Sequence, residues 1–185
     1  MNKNLIIALT GASGAVYGIK LVEYLKNIKD VNIHLIVSRG AEKIIKIETT
    51  ISLDELKNKT YYYAEDEIDA KIASGSFLTA GMVIVPCSMK TLAAIANGYA
   101  NNLITRAADV MLKERRKLIL VPRESPFNLI HILNMAKVTR AGGIILPPIP
   151  AFYYNPKNVD EIINYTVGKI LDLLNIRHNL FKRWS

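Results

Sequence analysis

An arginine and a glutamate stand side by side directly after a short apolar segment of the chain. Residues 118–121 are leucine, isoleucine and valine, which predicts a buried strand. Arg123 and Glu124 follow, and Ser125 and Pro126 then suit the N-cap and the first position of an amphipathic helix. Open α/β sheets bind ligands where a strand end feeds a helix start, and such helix starts attract anions. The pair could therefore bind a phosphate and transfer a proton; a surface ion pair in a loop is the alternative.

Three further predicted strands also end in hydroxyl-bearing residues. Ser13 follows the first strand, Ser38 follows the second, and Ser88 with Thr91 follows a later one. Because parallel strands share one carboxyl edge, these corners and the one at Arg123 can converge. A single serine at such a place is usually only an N-cap. Their combination predicts a phosphate site made of hydroxyl groups and helix-start amides, which needs no metal.

Three cations on predicted helices suggest a second anion site. Arg106 and Lys113 are seven residues apart in the helix predicted over 102–114, so they lie on one helix face. Lys169 stands at the border of the packed face of the last helix. Cations held against apolar surface usually have a partner or a ligand, although lysines that simply extend to solvent are the alternative.

Apolar runs alternate with helical periods along the rest of the chain. Strands are predicted at residues 4–10, 31–37, 82–86, 118–121 and 143–146, and helices at 18–28, 41–47, 92–96, 102–114, 128–140 and 159–174. Residues 49–79 show no clear period, and we expect irregular structure there with one short helix. The alternation predicts an α/β fold, a doubly wound, mainly parallel and Rossmann-like sheet with helices on both faces. The length of the chain fits a single domain over residues 1–185.

Composition excludes several classes of protein. Of the 185 residues 50% are hydrophobic and 22% charged, as in ordinary globular proteins. No apolar run approaches the ~20 residues that span a bilayer, so no membrane segment is expected. The net charge of +8 has its densest cluster at 113–117, which is short and interrupted, so we expect no binding of nucleic acid. The single cysteine, Cys87, excludes an internal disulfide and fits a reducing cytoplasm, and we expect it to be a buried filler.

Neither a metal site nor two familiar catalytic patterns are supported by the residues. The histidines are scattered at 34, 131 and 178, so no metal ligand set is expected. Ala15 stands where a nucleophile elbow needs glycine. Tyr165 and Lys169 have the spacing of a short-chain nicotinamide reductase, but the glycines of the first turn do not form G-x-G-x-x-G.

Three segments taken together resemble the flavin prenyltransferase (UbiX-like) family. They are residues 10–18 (TGASGAVYG), 85–126 and 145–156 (ILPPIPAFYYNP), and the similarity runs nearly end to end. The resemblance implies an enzyme that joins a dimethylallyl group from dimethylallyl phosphate to N5 and C6 of reduced FMN, with no metal. It also implies a homo-oligomer, commonly a dodecamer with sites at subunit contacts, and a UbiD-type decarboxylase as recipient of the prenylated FMN.

The resemblance also implies roles for individual residues. FMN binding falls to Gly11, Ala12, Ser13, Ser38, Ser88, Met89, Lys90, Thr91 and Arg123. Binding of the prenyl donor falls to Tyr153, Lys169 and Trp184, with Arg106, Lys113 and Glu124 around its phosphate. Ser13, Glu48, Lys113 and Glu124 are the implied catalytic residues. Lys169 replaces an arginine of some members, which keeps the charge but loses the bidentate fork.

Two other flavin-dependent readings remain open. The cysteine-decarboxylating flavoproteins resemble the first half of the chain, but they use a Pro-Ala-Ser-Ala-Asn-Thr corner where this chain has residues 86–91 (PCSMKT). A non-catalytic flavin carrier is the other reading. It would not need the cations at 106, 113 and 169 or the carboxyl group of Glu124.

Overall fold

The structure, a computed structural model, describes residues 3–184, and six strands of this part of the chain form one parallel sheet. In chain order they are β1 (Lys3–Leu9), β2 (Val31–Val37), β3 (Tyr61–Ala64), β4 (Gly81–Cys87), β5 (Leu118–Pro122) and β6 (Ile144–Ile145). Their order across the sheet is β3-β2-β1-β4-β5-β6, and every neighbouring pair is parallel. The runs rich in isoleucine, leucine and valine form the inner strands, because both faces of these strands are buried.

Helices cover both faces of the sheet. They are α1 (Ala15–Leu25), α2 (Arg39–Glu48), α3 (Leu53–Lys57), α4 (Met89–Ala96), α5 (Leu103–Lys113), α6 (Leu129–Arg140) and α7 (Val159–Leu173). Helices α1, α2, α3 and α7 pack on one face, and α4, α5 and α6 pack on the other. Successive residues of β1 alternate between the two cores, with Leu5 and Ile7 in the first and Ile6 and Ala8 in the second. The predicted doubly wound α/β fold is confirmed.

Two local predictions differ from the structure. The segment predicted to be irregular contains, besides α3, the edge strand β3, which pairs with β2 from His34 opposite Tyr61. The start of α6 is also not at Ser125. Asn128 is the N-cap, since its side chain accepts a hydrogen bond from the backbone N–H of His131 at 2.9 Å and the His131 ring faces the N–H of Asn128.

The strand order places a crevice between β1 and β4. The chain begins with β1 in the middle of the sheet, moves outward through β2 to β3, and then returns to β4 on the other side of β1. The loops after β1 and β4 therefore leave the sheet in opposite directions, and a crevice opens at their carboxyl ends. The four predicted corners follow the adjacent strands β2, β1, β4 and β5, so the fold brings them to this one place.

Candidate active site

A cavity of about 340 Å³ lies in this crevice. Five of the predicted FMN-binding residues line it: Gly11, Ser38, Ser88, Lys90 and Thr91. Thr10, Arg39, Gly40, Glu65, Asn102 and Ile104 also line it, although they were not predicted from the sequence. The cavity is thus formed by hydroxyl groups, backbone and a few charged side chains, a lining suited to a polar, phosphorylated ligand.

Thr10 joins the two sides of the crevice. Its hydroxyl group donates to the carbonyl oxygen of Pro86 at 2.8 Å and accepts from the backbone N–H of Ser88 at 2.7 Å. The corner after β5 is attached in turn, because the backbone N–H of Arg123 donates to the carbonyl oxygen of Cys87 at 3.3 Å. These bonds fix the relative positions of three strand ends.

Ser38 and Ser88 are N-caps as well as cavity residues. The Ser38 hydroxyl accepts from the N–H of Ala41 at 3.1 Å, and the Ser88 hydroxyl accepts from the N–H of Thr91 at 3.3 Å. A capping hydroxyl oxygen only accepts in these bonds, so the hydrogen of Ser38 can still be donated to a ligand. The hydroxyl groups of Ser88 and Thr91 also lie 3.0 Å apart and share one hydrogen bond, which leaves one hydrogen of that pair to donate. The sequence prediction of a cap and that of a phosphate ligand are therefore compatible.

Two glycines bring the first two corners into close contact. A Cβ atom on Gly11 would lie 3.2 Å from the Cα of Gly40, closer than side chains normally pack. Because neither residue has a side chain, the turn after β1 and the start of α2 meet backbone to backbone at the edge of the cavity that both glycines line. A close approach of backbone at a helix start suits the binding of a phosphate.

Glu48 binds the start of α1 from the far end of α2. Helix α1 begins after Gly14, whose left-handed conformation (φ 102°) carries no capping side chain. The Glu48 carboxylate instead accepts the backbone N–H groups of Gly14 and Ala15, each at 2.9 Å, and a hydrogen bond from Ser13. Partial burial acts to raise the pKa of Glu48, but these bonds and the charge of Arg123 outweigh it and lower the pKa below 4.5. The carboxylate is therefore ionised at neutral pH.

Arg123 and Glu124 stand at the open rim of the crevice. Both side chains are exposed. The charge of Arg123 acts through space on Glu48 and on the Tyr17 hydroxyl, whose pKa is raised by burial and lowered in part by this arginine. One carboxylate oxygen of Glu124 accepts from the N–H of Ser125 at 2.9 Å. Arg123 thus lies near enough to Glu48 for its charge to act on that carboxylate, and Glu124 follows it in the chain.

A second cavity, of about 320 Å³, lies between the loop before α7 and the last residues of the chain. Tyr153 and Trp184 line it, and their rings meet edge to face with centroids 5.3 Å apart. Tyr165 of α7 packs edge to face on Tyr153 at 6.2 Å. Lys169 stands one helical turn after Tyr165 and therefore on the same face of α7. Two of the predicted donor-binding residues, Tyr153 and Trp184, are thus brought together at one aromatic cavity, which Lys182 and Arg183 also line.

Arg106 and Lys113 are not brought to either cavity within one chain. The Arg106 side chain donates to the carbonyl oxygen of Ala73 at 3.2 Å and pairs with Asp109 at 3.1 Å. Lys113 lies at the last turn of α5 and pairs with Glu114. This end of α5 precedes the start of β5, so it is at the opposite edge of the sheet from Glu124. The predicted cluster of Arg106, Lys113 and Glu124 around one phosphate is not formed inside a single copy.

Three of the six cavity residues that the sequence analysis missed differ in the signal that the sequence carried for them. Thr10 ends the first apolar run directly before the glycine turn, so its position was a usable signal. Asn102 was visible as a helix cap, and the structure adds its place in the cavity. Glu65 lies in the segment without a clear period, and its carboxylate accepts from the backbone N–H of Arg39 at 3.1 Å. Nothing local to the sequence indicated that contact.

Residues 3–184 contain neither a cluster of metal ligands nor a membrane-spanning helix. No His, Cys, Asp and Glu side chains in this range form a group of three or more arranged to hold a metal ion. None of the helices in the same range has the length and apolar character needed to cross a bilayer.

Comparisons with known proteins extend over the whole chain. A sequence model of the Flavoprotein family matches residues 1–175. The chain is 55% identical to the flavin prenyltransferase UbiX of Methanocaldococcus jannaschii, over 98% of either chain. The crystal structure of AnUbiX (PadA1) in complex with FMN and dimethylallyl pyrophosphate superposes with a TM-score of 0.97 at 45% identity, covering 100% of this chain and 98% of that one. A dodecameric FMN-dependent UbiX-like decarboxylase from Escherichia coli O157:H7 has a TM-score of 0.96 at 44% identity, covering 98% and 99%. The protein belongs to the flavin prenyltransferase (UbiX-like) family of flavoproteins.

Proposed function

We propose that the protein transfers a dimethylallyl group from dimethylallyl phosphate to reduced FMN and releases prenylated FMN. The observation that carries this proposal is that the corners after β1, β2 and β4 line one cavity, while Arg123, at the corner after β5, acts through its charge on the carboxylate of Glu48. A site that only stored a flavin would need the first set of groups but not the carboxyl groups of Glu48 and Glu124. The product would serve a UbiD-type decarboxylase, which we propose as the recipient.

FMN would bind along the crevice. We assign its binding to Gly11, Ala12, Ser13, Ser38, Ser88, Met89, Lys90, Thr91 and Arg123, of which five line the cavity. The close approach of Gly11 and Gly40 supports a phosphate seat made of backbone N–H groups. Reduced FMN supplies the electron-rich N5 and C6 atoms to which the prenyl carbons become bonded.

The departure of phosphate is the step that needs acid and positive charge. The allylic C–O bond breaks when its electron pair leaves with the phosphate, so a proton and cationic donors lower the barrier. Glu124 would donate that proton, and Lys169 with Tyr153 would hold the donor. Trp184 would cover its apolar part, which keeps water from the allylic carbon.

Removal of a proton from the flavin requires an acceptor, a role that we assign to Glu48. Glu48 is ionised, since its pKa is below 4.5, and it is linked to the Ser13 hydroxyl. Ser13 could pass a proton to this carboxylate without a large movement of either residue. For this transfer, Ser13 and Glu48 would each give up a hydrogen bond at the start of α1 and form one to the substrate instead.

Arg106 and Lys113 would reach the site from another copy of the chain. Within one copy, Lys113 is at the opposite edge of the sheet from Glu124. Helix α6 also leaves Leu129, Ile130, Ile132 and Leu133 at least half exposed, at 68, 67, 50 and 52%. An apolar surface of this kind on a protein of this size is typical of an interface between subunits. We therefore propose a homo-oligomer, a dodecamer by analogy with the relative described above.

The proposal is tested by incubating purified protein under anaerobic conditions with reduced FMN and dimethylallyl phosphate. The released flavin should gain the mass of one dimethylallyl group in place of one hydrogen, and inorganic phosphate should appear in equal amount. A flavin that binds and is released unchanged would identify a carrier instead. We place the reaction in the cytoplasm, because a reduced flavin and the lone thiol of Cys87 fit a reducing compartment.

A further inference from the structure

The last residues of the chain run back along α7. After α7 ends, the backbone carbonyl of Arg177 accepts from the hydroxyl group of Tyr24 at 3.3 Å, at the far end of α1. The chain then returns toward the loop before α7, where Trp184 meets Tyr153. Residues 175–184 are called the C-terminal strap below. Trp184 reaches the second cavity at the end of this ten-residue segment, so its position requires contacts that hold the strap in place.

A network of charged groups on α7 ties down the strap. Asp172 accepts two hydrogen bonds from the guanidinium group of Arg183, at 2.7 and 3.1 Å. It also accepts one from Nε2 of His178 at 3.1 Å. The ring of His178 is oriented at its other nitrogen, since Nδ1 accepts from the N–H of Leu180 at 3.2 Å. One carboxylate therefore holds the strap at two points, one of them by a bidentate pair.

The contact is well covered at His178 and Asp172, whereas the Arg183 side chain is 57% exposed. The His178 side chain is only 1% exposed, and Asp172 only 26%. Gly168, one turn before Asp172 on α7, leaves room for the strap. A Cβ atom at Gly168 would lie 2.5 Å from the ring of Phe181 and 2.7 Å from that of His178. A polar network under such cover gives a single position to the segment that it binds.

The network ends at the second cavity. Arg183 lines that cavity together with Tyr153 and Trp184. Phe181 packs against Tyr165 with ring centroids 4.9 Å apart, and Tyr165 in turn packs against Tyr153. The strap therefore also supports the aromatic side chains of the second cavity. Trp184 itself is 79% exposed and would gain little order from its own packing. Its position beside Tyr153 therefore depends on what precedes it in the strap.

We propose that Asp172, His178 and Arg183 are positioning residues for the prenyl-donor site, which act by fixing the C-terminal strap so that Trp184 stays beside Tyr153. The inference rests on the proposed function for the identity of the ligand at that site. It adds that the affinity for the donor depends on a carboxylate of α7 that does not itself touch the donor.

Trp184 allows a direct test, because it is the one tryptophan of the chain. Its fluorescence anisotropy and its quenching by acrylamide report the mobility and accessibility of the strap in the intact protein. Asp172→Asn and Arg183→Ala should lower the anisotropy and raise the quenching constant, whereas Arg183→Lys should restore part of the loss. The matched control is Asp160→Asn, which removes a carboxylate from the exposed first turn of the same helix.

Kinetics supply the second measurement. Asp172→Asn should raise KM for dimethylallyl phosphate about tenfold, since a mobile strap must be ordered each time the donor binds. The Kd for FMN and the secondary structure should not change, and Asp160→Asn should behave as the parent in every assay. An unchanged anisotropy would overturn the inference, and so would a mobile Trp184 with an unchanged KM. If the parent protein transferred no prenyl group, the proposed function would fail, while the anisotropy results would still decide whether Asp172 fixes the strap.

Discussion

The hydroxyl group of Thr10 accepts a hydrogen bond from the backbone N–H of Ser88, 2.7 Å away. The same hydroxyl donates to the carbonyl of Pro86, so a single side chain spans the point where the sheet reverses its strand order. Thr10 is only 2% exposed, which means that water cannot replace it in either bond. Its two bonds hold the floor of the proposed FMN site.

We expect Thr10→Val to weaken both folding and FMN binding. Valine has nearly the shape of threonine but no hydroxyl group, so the buried N–H of Ser88 and the carbonyl of Pro86 each lose a hydrogen bond. The loss should cost about 1–3 kcal/mol of folding free energy. Urea unfolding and titration with FMN measure the two effects. Thr139→Val is the control, since Thr139 is an exposed helix residue whose hydroxyl donates to Met135 within α6. Equal changes in the two variants would show that the bridge has no special role.

Glu48 should make the stability of the flavin-free protein depend on pH. Its pKa is lower in the folded chain than the ordinary 4.5, so its ionisation stabilises the fold above that pH. That contribution is lost as pH falls from 4.5 through the folded pKa. Glu48→Gln should therefore reduce stability at neutral pH and make its decline in acid less steep. Glu23→Gln, on the exposed surface of α1, controls for a change of charge. Curves that stay parallel to the parent curve below pH 4.5 would contradict the prediction.

The inner strands could be predicted from the sequence because strands buried on both faces consist mainly of apolar residues. Residues 31–37 and 118–121 are almost wholly apolar, and the structure has strands there. The edge strand β3 was missed since its residues, Tyr61–Ala64, are only partly buried and follow no apolar run. Its place is set by pairing with β2, a contact across the chain that no local period reveals.

The candidate site was predictable to the same extent. Corners after strands could be assembled from topology alone, and Ser38 and Ser88 do line one cavity. The N-cap of α6 was assigned to Ser125, whereas it is Asn128. Serine and asparagine are both good N-cap residues, and only the reciprocal contact between Asn128 and His131 distinguishes the two positions. Arg106 and Lys113 are seven residues apart on α5, as helix geometry predicted for one face, and each pairs with a carboxylate close to it in sequence, Asp109 and Glu114.

The thiol of Cys87 should not react with thiol reagents in the folded protein. It is fully buried, and burial raises the pKa of the thiol far above its usual range. A disulfide reagent should modify it only at the rate of unfolding, and fully in urea. Activity should survive an incubation of the native protein with the reagent. Rapid labelling of native protein would show that the strand end at β4 opens frequently.

Replacing Lys169 by arginine should improve the use of dimethylallyl phosphate. A guanidinium group can bind phosphate through two parallel hydrogen bonds, whereas an ammonium group acts as a point charge. We expect Lys169→Arg to lower KM for the donor a few-fold and Lys169→Ala to raise it, with the Kd for FMN unchanged in both. Steady-state kinetics at varied concentrations of dimethylallyl phosphate measure these KM values. If Ala and Arg gave the same KM as lysine, Lys169 would have no part in donor binding.

Glu124→Gln and Lys113→Ala should each abolish prenyl transfer while keeping the fold and FMN binding. Glutamine is nearly isosteric with glutamate but cannot donate the proton to the departing phosphate. Alanine at 113 removes a cation that is paired only with the neighbouring Glu114 in a single copy, so little stability is at risk. Mass measurement of the flavin gives activity, and circular dichroism and FMN titration give the controls. Full turnover in both variants would remove these two residues from the mechanism.

Mixing the two inactive variants tests whether the site is shared between copies. In each copy Lys113 and Glu124 are at opposite edges of the sheet, so a working site needs one residue from each of two chains. If Glu124→Gln and Lys113→Ala chains are unfolded, combined in equal amounts and refolded together, about one quarter of the sites should contain both intact residues. Activity should return in that proportion, although neither variant is active alone. The same mixture without unfolding is the control. A mixed oligomer that remained inactive would mean that both residues act within one chain.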